Sequence, residues 1–255
     1  MPKQETQKTP MRILVINPNT TPSMTAKIGL SAQAVASNTT EITALSPDKG
    51  PASIEGFYDE AYCVPGVLET IRKGEIMGYD GYVIACFDDP GVDAAREIAT
   101  KPAIGICQAA MYAASMVSTS FSVVTTLPRS IPIIERLAQH YGMTHFCRRV
   151  RAAALPVLSL EDPHSNAIEQ IKAEIYQALE QDRAESIILG CAGMSDLAQW
   201  LSCETGVPVI DGVGAAVKMV EALIGLGLKT SKVGAYGFPL PKPYQGDFAP
   251  NQWES

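Results

Sequence analysis

The feature that most constrains this chain is its resemblance to itself. Slid by about 105 residues, the segment YVIACFDDPGVDAAREIATKPAIGICQAAM lies over SIILGCAGMSDLAQWLSCETGVPVIDGVGAAV. Cys86 then falls on Cys191, Pro102 on Pro208, and Ala109-Ala110 on Ala215-Ala216. The openings correspond too: RILVINPNT lies over SFSVVTTLP, which sets Asn17 against Thr125. Few residues are identical, yet strand, thiol, helix and proline recur in order. Such a chain folds as two similar halves, and 255 residues give each half enough apolar material for a core.

Within each half, Val- and Ile-rich runs alternate with segments of helical period, the pattern of a parallel sheet covered on both faces by helices. Strands are expected at 12–16, 41–45, 81–86, 102–106, 121–126, 152–158, 186–190 and 207–210. Helices are expected at 22–37, 59–77, 90–99, 107–118, 130–141, 165–181, 194–204 and 212–227. The fold class is therefore α/β: two Rossmann-like lobes with parallel sheets, related by a pseudo-twofold axis, with the active site in the cleft between them. The division is a polar extension over 1–10, a first lobe over 11–113, a second over 114–228 and a proline-rich tail over 229–255. The terminal helix of each half is free to pack on the other lobe.

Charge and composition narrow the partners. A net charge of −7 with no basic stripe argues against nucleic acid and against an anionic membrane. The cluster Arg148, Arg149, Arg151 reads as a solvated edge. No apolar run is long enough to span a bilayer. MPKQETQKTP lacks the apolar centre of a secretory signal, so a cytoplasmic address is expected, where thiols stay reduced. Six cysteines at 63, 86, 107, 147, 191 and 203 form no CxxC pair, and His140, His145 and His164 follow no metal-ligand spacing. Neither a metal nor a disulfide framework is expected. GVGAAV at 212–217 lacks the third glycine of a dinucleotide fingerprint and follows the last strand rather than the first. No cofactor is expected, and the partners are a small-molecule substrate and further copies of the chain.

In open α/β sheets, ligands bind outside the carboxyl ends of the strands. Cys86, ending VIAC, and Cys191, ending IILGC, both stand there and precede helix starts, which favour a thiolate. The remaining cysteines read as core. Asp88 and Asp89 precede Pro90 and read as caps of the helix expected at 90, although a carboxylate so near would oppose thiolate formation. NPNTT after the first strand offers Asn17. VVTTLP offers Thr125 and Thr126, and the loop SIEGFYDE offers Ser53 and Ile54 as substrate-binding candidates. Two thiols facing one another across a cleft suit inversion at a carbon acid: one removes a proton as thiolate, the other returns one from the far face. Backbone N–H groups at Phe87-Asp88 and Ala192-Gly193, with Asn17 and the threonines, are candidate donors to the resulting enolate. A non-catalytic binding protein built on the same two lobes is the alternative from another class.

NPNTT, SIEGFYDE, ACFDDPG, VVTTLP, LGCAGM, VPVIDGV and TSKVG together resemble the hydantoin racemase family, within the aspartate/glutamate racemase superfamily, and are similar to its allantoin racemase branch. The resemblance covers about residues 11–240. It implies a two-lobed α/β fold and a cofactor-independent, two-base racemase of 5-substituted hydantoins, allantoin included, assembled as a homo-oligomer. By position, Cys86 and Cys191 take the roles of the family's proton-transferring cysteines, and Asn17, Phe87, Thr125, Thr126, Ala192 and Gly193 those of pocket-lining residues. Arylmalonate decarboxylases resemble this layout with a single site cysteine, and amino-acid racemases of the superfamily open on a DSG-like segment where this chain has NPN.

Overall fold

The computed structural model describes residues 10–162 and 164–246. Residues 1–9 of the extension expected over 1–10 and the end of the tail lie outside the described residues. Parallel strands β1 (Met11–Ile16), β2 (Thr40–Leu45), β3 (Gly81–Ile84) and β4 (Ala103–Gly105) form one sheet in the order β2-β1-β3-β4. Strands β5 (Phe121–Thr125), β6 (Cys147–Ala152), β7 (Ser186–Leu189) and β8 (Val209–Asp211) form a second in the order β6-β5-β7-β8. The two orders are one plan used twice, as the internal match requires. β3, β5 and β7 are buried along their whole length because helices cover both sheet faces, which is why they read as near-continuous apolar runs, with Ser122, Thr125 and Ser186 the polar exceptions.

The helices are α1 (Pro22–Val35), α2 (Phe57–Met77), α3 (Val92–Ile98), α4 (Ile106–Val117), α5 (Ile131–His140), α6 (Ala167–Gln181), α7 (Ala198–Thr205) and α8 (Gly212–Gly225). The last helix of each half reaches across: α4 contacts β7 and β8, α8 contacts β3 and β4, and the two helices pack on each other. Glycines permit this approach. A Cβ on Gly81 would collide with the Val220 side chain, and one on Gly212 would stand 2.6 Å from the Ile106 carbonyl oxygen. One apolar cluster therefore joins Val15 and Val83 of the first sheet, Val123 and Ile188 of the second, and Ala110 and Val217 of the crossing helices. Each fully buried Val or Ile contributes roughly 1.5–3 kcal/mol, so the lobes are held in fixed relation by their shared core. The outer faces carry separate cores, around Leu14 and Ile71 in one lobe and around Ile171 and Leu189 in the other.

Four expectations need correction. The sixth strand lies at Cys147–Ala152, not 152–158, and Val157–Glu161 forms a 3₁₀ turn. CRRVRA looks like a solvated run because it sits on a sheet edge. Arg148 and Arg149 are exposed, but Arg151 turns inward and its guanidinium donates to Asp182 at 2.6 and 2.7 Å. The helix expected from Pro90 begins at Val92, because Asp89 and Gly91 take left-handed φ angles of +46° and +70° and make a turn there. Cys203, expected in the core, is exposed, and Cys147 is half-buried. The three histidines are exposed, as read from sequence.

Beyond α8 the chain crosses the first lobe. Thr230 donates its hydroxyl to the Lys101 carbonyl at 2.6 Å, and the Lys232 ammonium donates to the carbonyls of Arg96 and Glu97 at 2.6 and 3.0 Å, near the end of α3.

Candidate active site

The carboxyl ends of β1, β3, β5 and β7 open on one cleft. In each sheet the chain leaves the first strand toward one side and continues on the other, so a crevice forms between the two central strands. The Ala85 N–H bonds the Ile16 carbonyl and the Gly190 N–H bonds the Val124 carbonyl, each at 2.8 Å. Both chains thus leave their sheets in the same way, one residue before each thiol. Gly190 is fitted to this place: a Cβ there would lie 2.8 Å from that of Thr125.

Cys86 and Cys191 border the same cavity, and with them stand Asn17, Ile54, Phe87, Thr125, Thr126 and Ala192 from the residues singled out in the sequence. Ser53 and Gly193 do not border it. Ser53 turns its hydroxyl to Glu55 Oε1 at 3.1 Å. Gly193 lies behind Cys191 and donates its N–H to that sulfur, and Asp88 N–H does the same for Cys86. Each thiol thus accepts the N–H two residues along. These bonds favour thiolate, but burial works against it more strongly: it pushes Cys191 up to about 11 and Cys86 well above its ordinary value. After burial, the main influence raising Cys86 is the neighbouring Asp88. Cys191 also feels Asp88, an influence that the Lys27 ammonium offsets in part. Lys27 belongs to α1 and is held over the second lobe by an ion pair with Asp196 at 3.2 Å.

The expected enolate donors are largely engaged already. Asn17 donates its amide to Asn19 Oδ1 at 2.8 Å and to Thr25 Oγ1 at 2.9 Å, and the Thr125 hydroxyl donates to the Gly190 carbonyl at 2.9 Å. The Asp88 and Gly193 N–H groups serve the sulfurs. The N–H groups of Phe87 and Ala192 and the hydroxyls of Thr126 and Ser130 have no intramolecular acceptor among the described residues. Asn19, Met24, Ser130 and Val157 also line the cavity. Asn19 lies within the flagged NPNTT, whereas Ser130 and Val157 come from turns that no motif marked.

Asp89 caps a helix, but not the one its position suggested. Its carboxylate accepts the N–H groups of Cys107 and Gln108 at 2.9 Å each, at the start of α4, and the Tyr141 hydroxyl at 2.8 Å. It lies over Gly105, where a Cβ would collide with it. At the matching start of α8, Asp211 accepts the N–H groups of Val213 and Gly214 at 3.0 and 2.7 Å from the capping position itself. Among the described residues no group of three or more His, Cys, Asp or Glu is arranged to hold a metal ion, and no helix is long and apolar enough to cross a membrane.

Two parallel α/β lobes opening on one cleft is a fold shared with solved racemases, among them a glutamate racemase from Francisella tularensis that superposes with a TM-score of 0.62 at 18% identity, covering 87% of this chain and 84% of that one. The chain belongs to the Asp/Glu/Hydantoin racemase family, whose model matches residues 13–220, and it is an isomerase. It is 56% identical over 236 residues to a hydantoin racemase of Rhizobium meliloti, covering 92% of this chain and 98% of that protein. To a hydantoin racemase of Pseudomonas sp. (strain NS671) it is 48% identical over 245 residues, covering 95% and 98%. The solved allantoin racemase from Klebsiella pneumoniae superposes with a TM-score of 0.92 at 53% identity, covering 93% of this chain and 97% of that one.

Proposed function

We propose that this protein racemises 5-substituted hydantoins, allantoin among them, by passing protons between the stereocentre and two thiols, Cys86 and Cys191, with no cofactor. The observation that carries the reading is that matched strand ends bring both sulfurs to one cavity. The sulfur that is thiolate takes the proton of the ring carbon, and the C–H electron pair delocalises into the adjacent carbonyl as an enolate. The opposite thiol then delivers its proton to the other face and becomes the thiolate. The reverse sequence converts the other enantiomer. Each pKa unit separating carbon acid from thiol costs about 1.4 kcal/mol, so the enolate needs donors. The N–H groups of Phe87 and Ala192 and the Thr126 and Ser130 hydroxyls fill that role, each such donor being typically worth ~3–4 kcal/mol.

The likeness to the Klebsiella allantoin racemase supports a second, narrower reading, that allantoin is the preferred substrate. Polarimetry of an enantiopure 5-benzyl hydantoin, a 5-isopropyl hydantoin and L-allantoin with protein alone decides between them. Loss of rotation for all three supports the broad reading, loss for allantoin alone the narrow one, and no loss for any refutes both. Free thiols at all six cysteines are consistent with a cytoplasmic enzyme. The exposed Leu226, Val233 and Leu240 support assembly with further copies of the chain.

A further inference from the structure

The cavity holds one ionisable group that a two-thiol mechanism leaves without a task. Asp88 is 7% exposed and borders the cavity beside both sulfurs. Among the described residues nothing donates a hydrogen bond to its carboxyl and no cation pairs with it. Its neighbour Asp89, equally buried, receives three donors. The groups facing Asp88 are acidic or neutral: Glu60 and Cys63 from α2, Asp89 from its own loop, Cys107 from α4, and the thiols of Cys86 and Cys191. A carboxylate so placed is unfavourable unless a ligand supplies the missing donor. The second lobe has Gly193 at the corresponding position, so the acceptor stands on one side of the thiol pair only.

We infer that the Asp88 carboxylate accepts a hydrogen bond from the substrate N–H bonded to the reacting carbon, and so makes the pocket specific for a cyclic ureide. The inference rests on the racemase reading above and names the group that selects its substrate. A 5-substituted hydantoin has the matching asymmetry: its stereocentre is flanked by an N–H on one side and a carbonyl on the other. With the thiols above and below the ring plane, both enantiomers keep that N–H on Asp88 while only hydrogen and substituent exchange faces.

The test compares wild type, Asp88→Asn and Asp88→Ala on an enantiopure 5-alkyl hydantoin and on its 1-methyl and 3-methyl derivatives. In wild type, methylation at N1 lowers kcat/KM by about 10- to 100-fold, the weight of a hydrogen bond to a charged group, and methylation at N3 changes it by no more than a few-fold. Asp88→Ala lowers the parent's rate to near that of the 1-methyl compound and leaves the 1-methyl rate nearly unchanged. Asp88→Asn, which keeps an acceptor oxygen, falls between. Both variants melt at or above the wild-type temperature, since each removes a buried group without a partner. Equal losses on all three substrates together with a lowered melting temperature would mark a structural residue and overturn the inference. So would a wild type indifferent to N1-methylation, a readout that needs no variant to fold. A wild type inactive on all three compounds removes the racemase reading itself, and this inference with it.

Discussion

The two lobes agree in framework and differ in charge. Each presents a thiol two residues past a buried central strand, and each thiol accepts the N–H two residues further on. The flanking residues part company: Cys86 is followed by Phe87, Asp88 and Asp89, and Cys191 by Ala192, Gly193 and Met194. Both thiols feel the Asp88 carboxylate, but the first also has the buried Cys63 near it, whereas the second has the Lys27 ammonium of the other lobe. Repetition explains why both sulfurs reach one cavity. Divergence makes them chemically unequal, with Cys191 the easier to ionise.

The largest effects test the equivalence. Cys86→Ser and Cys191→Ser each lower racemisation by roughly 10³-fold or more, the upper range of positioned acid–base groups, while circular dichroism stays that of wild type. Full racemisation by either variant ends the two-thiol account. The inequality is tested by pH. With Cys191 pushed up to about 11, the thiolate fraction of the free enzyme grows nearly tenfold per pH unit below that value, so kcat/KM rises from pH 7 to pH 10. Iodoacetamide labels Cys191 before Cys86, and Lys27→Met slows only the Cys191 reaction. Labelling in the opposite order would reverse the assignment.

Stability tests the carboxylates. Burial raises both Asp88 and Asp89 from 3.8 to about 7. The folded chain therefore binds more protons than the unfolded one between those values, and stability falls as pH rises from about 4 to about 7. Asp88→Asn removes its share of that slope, so its melting temperature exceeds that of wild type more at pH 8 than at pH 5. A gain independent of pH would contradict the assignment. The caps give the smallest differences. Asp211→Ala costs about 1 kcal/mol in a urea melt. Asp89→Ala costs more, about 2–4 kcal/mol, because it also leaves the Tyr141 hydroxyl without its acceptor. Equal losses would mean that the long-range cap is no more than a local one.

The parts of this design that repeat were legible in the sequence. Sliding the chain over itself exposes Cys86 and Cys191 together, and the near-continuous apolar runs of β3 and β7 mark buried parallel strands. The edge strand β6 was hidden because two of its arginines face solvent and the third is neutralised by Asp182, a partner about 30 residues away. Asp89 looked like a local cap because nothing in DDP reveals that a left-handed turn aims its carboxylate at α4. Asp88 and Asp89 are adjacent and identical in type, yet one is fully bonded and the other open to the cavity. Only the fold distinguishes them. Ser130 and Val157 reach the cavity from turns whose direction depends on how α5 and β6 are packed, which no local pattern encodes.

The central claim is that two sulfurs act on one carbon from opposite faces, and isotope exchange tests it most directly. One enantiomer of a 5-substituted hydantoin is incubated with the protein in D₂O, and both enantiomers are analysed at early turnover. Separate donor and acceptor thiols predict that the inverted product carries deuterium while recovered substrate still carries protium. Deuterium entering both enantiomers equally from the start would mean a single base serving both faces, and would contradict the account.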